Sequence, residues 1–171
     1  MFGYGSLMWR PDFPYQERRP ARIYGFHRAL CVFSHFYRGT PEQPGLVLGL
    51  DRGGCCKGIA FRVAAADRQA VTDYLDAREL ISDVYEPRWL PARADGELFP
   101  VYTYVARKES DQYAGRLDIS TIVRLLRTGV GSGGTALEYL TNTVMHLDEL
   151  GIGDSPLHKA LAAATAAANT G

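Results

Sequence analysis

The 171-residue chain has no excess of charge of either sign, 19 Lys and Arg against 19 Asp and Glu, and no run of basic residues. That balance removes the electrostatic case for nucleic acid or an anionic membrane as a partner. No apolar stretch approaches the roughly 20 residues that span a bilayer. The opening Met1-Phe2-Gly3-Tyr4-Gly5 has neither a basic n-region nor an apolar h-region, so a secretory signal is not expected and a cytoplasmic location is. Cysteine is scarce. Cys31, Cys55 and Cys56 are odd in number and two are vicinal, which leaves no even disulfide framework and suits a reducing compartment. His27, His35, His146 and His158 form no HExxH pattern and stand at no zinc spacing from a cysteine, so no metal site is expected. A GxxxxGK[ST] phosphate loop is also missing.

What is present is ordinary globular material: 46% hydrophobic and 22% charged residues, enough for one domain with a real core. The first two thirds read as β-rich. Residues 2–9 form a short apolar run broken by Gly3 and Gly5, a strand that turns into a loop. Residues 21–34 alternate with both faces largely apolar, interrupted by Arg22 and Arg28, and 35–45 must be a loop because of its glycines and prolines. Residues 46–50 and 55–63 read as two strands joined by an Asp51-Arg52-Gly53-Gly54 turn. The period then changes: Ala70, Val71, Tyr74 and Leu75 predict a helix over 67–76. Asp95-Gly96 predicts a hairpin between strands 84–93 and 99–106, the first made irregular or edge-like by Pro87 and Pro91.

The last third is helical. Asp118 is an N-cap for a helix striped by Ile119, Ile122, Val123 and Leu126 and ended by Gly129. Thr135 and Glu138 form a capping box for the next helix, which stops at Gly151. Ser155-Pro156 opens a final Ala-rich helix, expected to fray from about Ala167. One α+β domain over 1–171 is expected, with a mostly antiparallel sheet closed or strongly curved and helices outside.

Two glycine-rich segments and several carboxylates are candidates for chemistry. Residues 129–134 contain GxGxxG but follow a helix rather than a strand, so they read as a flexible connector. Gly3-Tyr4-Gly5-Ser6-Leu7 either is a glycine-kinked strand or presents consecutive N–H groups to an anion. Glu79, just past the predicted helix, needs its pKa raised by partial burial to act as a base near neutrality. On spacing alone Asp76, Asp83 and Glu86 stand equal to it.

Five motifs in order resemble the ChaC-type γ-glutamylcyclotransferases, in particular their glutathione-specific branch. Residues 2–11 look like FGYGSLxW(K/R)P, 38–45 like RGxPxxPG, 54–62 like GCxxGxA(Y/F)R, 74–79 like YLDxRE, and 138–140 like EYL. The resemblance runs from residue 2 to about 150 and leaves the last helix uncovered. It implies a cyclotransferase-like fold, a small mixed β-barrel flanked by helices. It also implies cleavage of glutathione to 5-oxoproline and cysteinylglycine without metal or cofactor. By the same resemblance Gly3, Tyr4, Gly5, Ser6 and Leu7 hold the γ-glutamyl group and Glu79 is the catalytic acid–base. Arg38 is a candidate partner for a substrate carboxylate or a staple of its own loop, and Tyr139 a candidate pocket wall or packing residue.

The chain departs from the family pattern at Leu80-Ile81-Ser82-Asp83-Val84-Tyr85, where many members carry a glycine pair and a nearer tyrosine. Tyr37 and Leu46 stand where members often have histidine and arginine. Two further readings follow. One is the same reaction on another γ-glutamyl peptide or amine. The other is a non-catalytic ligand-binding or regulatory protein on the same scaffold, linked to cation transport.

Overall fold

The structure, a computed structural model, describes residues 1–166; the expected fraying from Ala167 lies outside them. The chain divides into two compact units, 1–28 with 50–107 and 29–49 with 108–171. Strands β2 (Glu17–Ser34) and β3 (Gly45–Arg62) each run through both.

In the first unit, β1 (Phe2–Gly3) pairs antiparallel with β3, Phe2 opposite Ala60 and Gly3 opposite Ile59. Helix α1 (Arg68–Glu79) follows, then the hairpin of β4 (Tyr85–Ala94) and β5 (Glu97–Ala106). Asp95 and Gly96 both adopt positive φ, 49° and 83°, as a two-residue hairpin turn of this hand requires. Phe2, Ile23, Leu50, Cys56, Ala92 and Val101 belong to the buried cluster that these strands share. In α1 only Val71 and Leu75 are buried; Tyr74 of the predicted stripe is 40% exposed.

The expected barrel is not there. The sheet is open, in the order β1-β3-β2-β4-β5, with β1 and β5 at its edges. Closure would need a ladder between those edges, but β1 is two residues long before the chain leaves it for a 3₁₀ turn. The edges are joined instead by a side chain, as the Thr103 hydroxyl donates to the Phe2 carbonyl at 3.0 Å. Nor do residues 51–54 reverse the chain: β3 is one strand of 18 residues. Gly53 and Gly54, at φ 98° and 69°, kink it like a bulge, so positive φ marked a bend within a strand rather than a hairpin. β4 lies inside the sheet order, yet its register with β2 is Arg22–Arg93 and Ile23–Ala92. Pro87 and Pro91, which have no N–H to donate, fall outside that register and face only β5.

In the second unit, α2 (Ile119–Thr128), α3 (Ala136–Glu149) and α4 (Ser155–Ala166) pack on one another. The Asp118 carboxylate accepts the Thr121 N–H at 3.0 Å, and the Thr135 hydroxyl oxygen accepts the Glu138 N–H at 3.0 Å, as the capping residues predict. α2 buries Leu125 and Leu126 and leaves Ile119 half exposed. The glycine-rich segment is no flexible connector: β6 (Val130–Gly131) and β7 (Gly134–Thr135) make a small two-stranded sheet. Gly129 and Gly131 are required by contact, since a Cβ on Gly129 would overlap the Gly45 backbone and the Arg38 carbonyl, and one on Gly131 the Phe36 carbonyl. Among the described residues no helix is long and apolar enough to cross a membrane.

Gly129→Ala therefore forces backbone apart, a strain of about 1–3 kcal/mol. A thermal melt is expected to show Tm lowered by several degrees, whereas Gly153→Ala, which meets nothing within 4 Å, leaves it nearly unchanged.

Candidate active site

The site grows from the end of β1. Two residues after the strand, a 3₁₀ turn (Ser6–Met8) begins: the Met8 N–H donates to the Gly5 carbonyl at 2.9 Å and the Arg10 N–H to the Ser6 carbonyl at 2.8 Å. The amides of Ser6 and Leu7 precede the first of these bonds, as the leading amides of any such turn do. Leu7 and Met8 are buried and anchor the turn, so Leu7 offers its backbone rather than its side chain.

Two features press this turn against β3. Gly58 lets the strands close, because a Cβ there would overlap the Gly3 carbonyl oxygen and the Phe2 ring. The Arg28 guanidinium, 6% exposed, donates from Nε to the Tyr4 carbonyl at 2.5 Å and from Nη2 to the Lys57 carbonyl at 2.7 Å. The signal for Arg28 was its interruption of an otherwise apolar alternation in β2.

Glu79 is the last residue of α1, not a loop residue beyond it. The helix runs three residues past its predicted end because the Leu80 N–H still reaches the Asp76 carbonyl at 2.9 Å. The Glu79 side chain keeps 23% of its surface. Burial raises its pKa above the ordinary glutamate value, and the neighbouring Arg78, with Nε 3.3 Å from Oε1, opposes that rise. Arg78 also ties Glu79 to the glycine turn. Its Nη2 donates to the Ser6 hydroxyl oxygen at 3.0 Å, and its Nη1 lies 3.5 Å from the Arg10 carbonyl and 3.6 Å from Asp12.

The structure separates the four carboxylates that spacing left equal. Asp83 lies 3.9 Å from Arg107 and is largely exposed, and Glu86 pairs with Arg88 at 2.6 Å. Asp76 accepts two phenols on one oxygen, Tyr102 at 2.9 Å and Tyr104 at 2.6 Å. Such charge-assisted bonds contribute about 1.5–3 kcal/mol each. Burial first, then the bond to Asp76, pushes the Tyr102 hydroxyl up to about 12, and the same causes raise Tyr104 further, with the Glu79 charge adding to them. Both phenols are donors at any physiological pH.

Gly3, Tyr4, Gly5, Ser6, Leu7 and Glu79 thus meet in the first unit, through Arg28 and Arg78. Arg38 and Tyr139 belong to the second, where the guanidinium lies 5.5 Å from the Tyr139 ring centroid. Arg38 donates to the Thr135 carbonyl at 3.3 Å and stands 3.7 Å from Glu138, so it staples its own loop to the start of α3. Among the described residues no group of three or more His, Cys, Asp or Glu is placed to hold a metal ion. A separate cleft of about 330 Å³, lined among others by Arg19, Arg62, Phe61 and Trp89, contains none of the site residues. Two of its arginines are already paired, Arg19 with Glu97 and Arg62 with Glu17.

An open antiparallel sheet carries a helix that ends in a half-buried glutamate, and the glycine turn is joined to that glutamate through Arg78. The model of the ChaC-like protein family matches residues 1–166, and the chain belongs to that family. It is 32% identical over 162 residues to the glutathione-specific γ-glutamylcyclotransferase of Escherichia coli K12, covering 94% of this chain and 70% of that one. It is also 32% identical over 145 residues to the human glutathione-specific γ-glutamylcyclotransferase 1, covering 82% of this chain. The chain spans 65% of that human relative's length. A crystal structure of a glutathione-specific γ-glutamyl cyclotransferase from yeast superposes with a TM-score of 0.85 at 21% identity, over 96% of this chain and 94% of that one. That likeness establishes a cyclotransferase-like fold.

A carboxyl whose pKa is raised on folding holds its proton more tightly in the folded chain. Its contribution to stability is complete below the unfolded value of about 4.3 and is lost as pH rises through the folded one. Glu79→Gln is therefore expected to melt above the wild type at pH 7, with the gap closing toward pH 4. Arg78→Met removes the opposing cation, so the Glu79 pKa rises further, which a ¹³C NMR titration of its carboxyl reads directly.

Proposed function

We propose that the chain is a γ-glutamylcyclotransferase that cleaves glutathione to 5-oxoproline and cysteinylglycine, with Glu79 as the acid–base. The observation that carries this reading is the Glu79 carboxyl, raised in pKa by burial and joined through Arg78 to Ser6 of the glycine turn. The family membership and the names of the relatives support the substrate class.

The substrate carries its own nucleophile. Its α-amine attacks the γ-carbonyl carbon, the new C–N bond closes a five-membered lactam, and the amide bond to the cysteine nitrogen breaks. Tethering gives that amine a high effective concentration, so the protein need supply only proton transfer and orientation. Glu79 takes the proton that the ammonium must lose and returns it to the departing amine. The leading amides of the Gly5-Ser6-Leu7 turn receive the α-carboxylate or the developing oxyanion, with Gly3 and Tyr4 setting the entry to that turn. Arg38 and Tyr139 shape the loop and helix of their own unit.

The uninterrupted family match over 1–166 supports reading both units as one family domain. The odd number of cysteines, with Cys55 and Cys56 vicinal, favours a reducing, cytoplasmic setting.

The test is release of 5-oxoproline from glutathione, beside the Glu79→Gln variant. The wild type is expected to turn over and the variant to lose about 10²–10⁴-fold in kcat. The acid limb of the wild-type pH–rate profile should lie above the ordinary glutamate range, because the base works only when ionised. Equal turnover by the variant would overturn the assignment of Glu79. Release from γ-glutamyl-alanine but not from glutathione would change the substrate, and no release from either would refute the reaction.

A further inference from the structure

We propose that Asp76, held by the hydroxyls of Tyr102 and Tyr104, is the positioning residue that fixes the last turn of α1 and so places the Glu79 carboxyl. This rests on the role given to Glu79 above.

The helix needs such a device. Its buried anchors, Val71 and Leu75, lie before the final turn, and beyond Glu79 the chain enters a segment in which Leu80 is 38% and Ile81 59% exposed. A helix end leading into an exposed segment frays unless something holds it. Asp76 and Glu79 are three residues apart and share one face of the helix. Tyr102 and Tyr104 are two apart on β5 and so share one face of the strand, their rings 5.6 Å apart and edge to face. Both hydroxyls converge on the same oxygen of Asp76. Two bonds from a strand that is itself laddered to β4 over ten residue pairs fix the carboxylate in two directions. The Asp76 backbone completes the link, since its carbonyl accepts the Leu80 N–H that closes the turn containing Glu79.

The charged and titratable groups that face Glu79 are Arg78 from its own helix and Tyr104 from β5; Arg78 in turn is held by Ser6, Arg10 and Asp12. With the clamp intact, Glu79 stays half-buried. Without it the turn loosens, water reaches the carboxyl, and the burial that raises its pKa is lost.

The experiment compares Asp76→Ala with Asp76→Asn, which keeps the accepting oxygen, and with the double variant Tyr102→Phe/Tyr104→Phe. The last keeps both rings and guards against an alanine variant that fails to fold. Each is read by steady-state 5-oxoproline release across pH and by ¹³C NMR titration of the Glu79 carboxyl. Asp76→Ala and the double variant are expected to lower kcat by about 100-fold with KM little changed, and to move the acid limb and the Glu79 titration to lower pH. Asp76→Asn should restore most of the rate. If the variants melt earlier but titrate Glu79 where the wild type does, Asp76 is merely structural and the proposal fails. A double variant with wild-type rate would also overturn it. A wild type that releases no 5-oxoproline would refute the proposed reaction, while the titration would still decide whether Asp76 places Glu79.

Discussion

The Arg28 guanidinium, almost wholly buried, holds two backbone carbonyls that the chain reaches at Tyr4 and Lys57. A buried cation with well-placed acceptors is costly to disturb, because each carbonyl it releases would be left without its donor. That constraint keeps a two-residue strand and the turn after it against β3, where the lack of a side chain on Gly58 lets the backbones meet. Everything downstream depends on where this turn sits. Ser6 offers its hydroxyl to Arg78, and Arg78 stands beside Glu79. Two arginines in succession thus carry the geometry of the glycine turn to the end of α1.

The site has few parts because the proposed chemistry asks for few. A substrate that brings its own amine to its own carbonyl needs a proton carrier, a fixed anion contact and exclusion of bulk water. Burial of one glutamate supplies the first, and a neighbouring cation keeps its pKa from rising further. The neutral composition is consistent with the proposed chemistry. A ligand that bears an ammonium and two carboxylates is recognised by a local arrangement, which needs no net charge on the protein.

Local rules were legible wherever one residue's chemistry decides the backbone. Asp95-Gly96 turns a hairpin, Asp118 and Thr135 cap their helices, and Gly151 with φ 65° ends α3's turn. They misled where the same chemistry serves two structures. Gly53-Gly54 has the positive φ of a hairpin turn, but the strand continues through it as a kink. A barrel looked plausible from alternation on both faces of residues 21–34, yet closure depends on the partner at the far edge, and β1 is too short to give one. Patterning along a strand carries no information about that partner.

By itself the sequence determined the order of most elements, though not the single strand β3 or the small β6–β7 sheet, the family through five motifs, and the residue types able to do the chemistry. Spacing alone did not rank Glu79 above Asp76, Asp83 and Glu86, since all four are ordinary carboxylates in similar local context; only the family resemblance singled it out. Tertiary structure gives them different surroundings. Asp83 and Glu86 meet arginines, Asp76 takes two phenols from a strand some 26 residues on, and burial raises the pKa of Glu79. The reason is physical: a carboxylate's working pKa and aim are set by desolvation and by neighbours brought from distant parts of the chain, and neither is a property of the residues beside it in sequence.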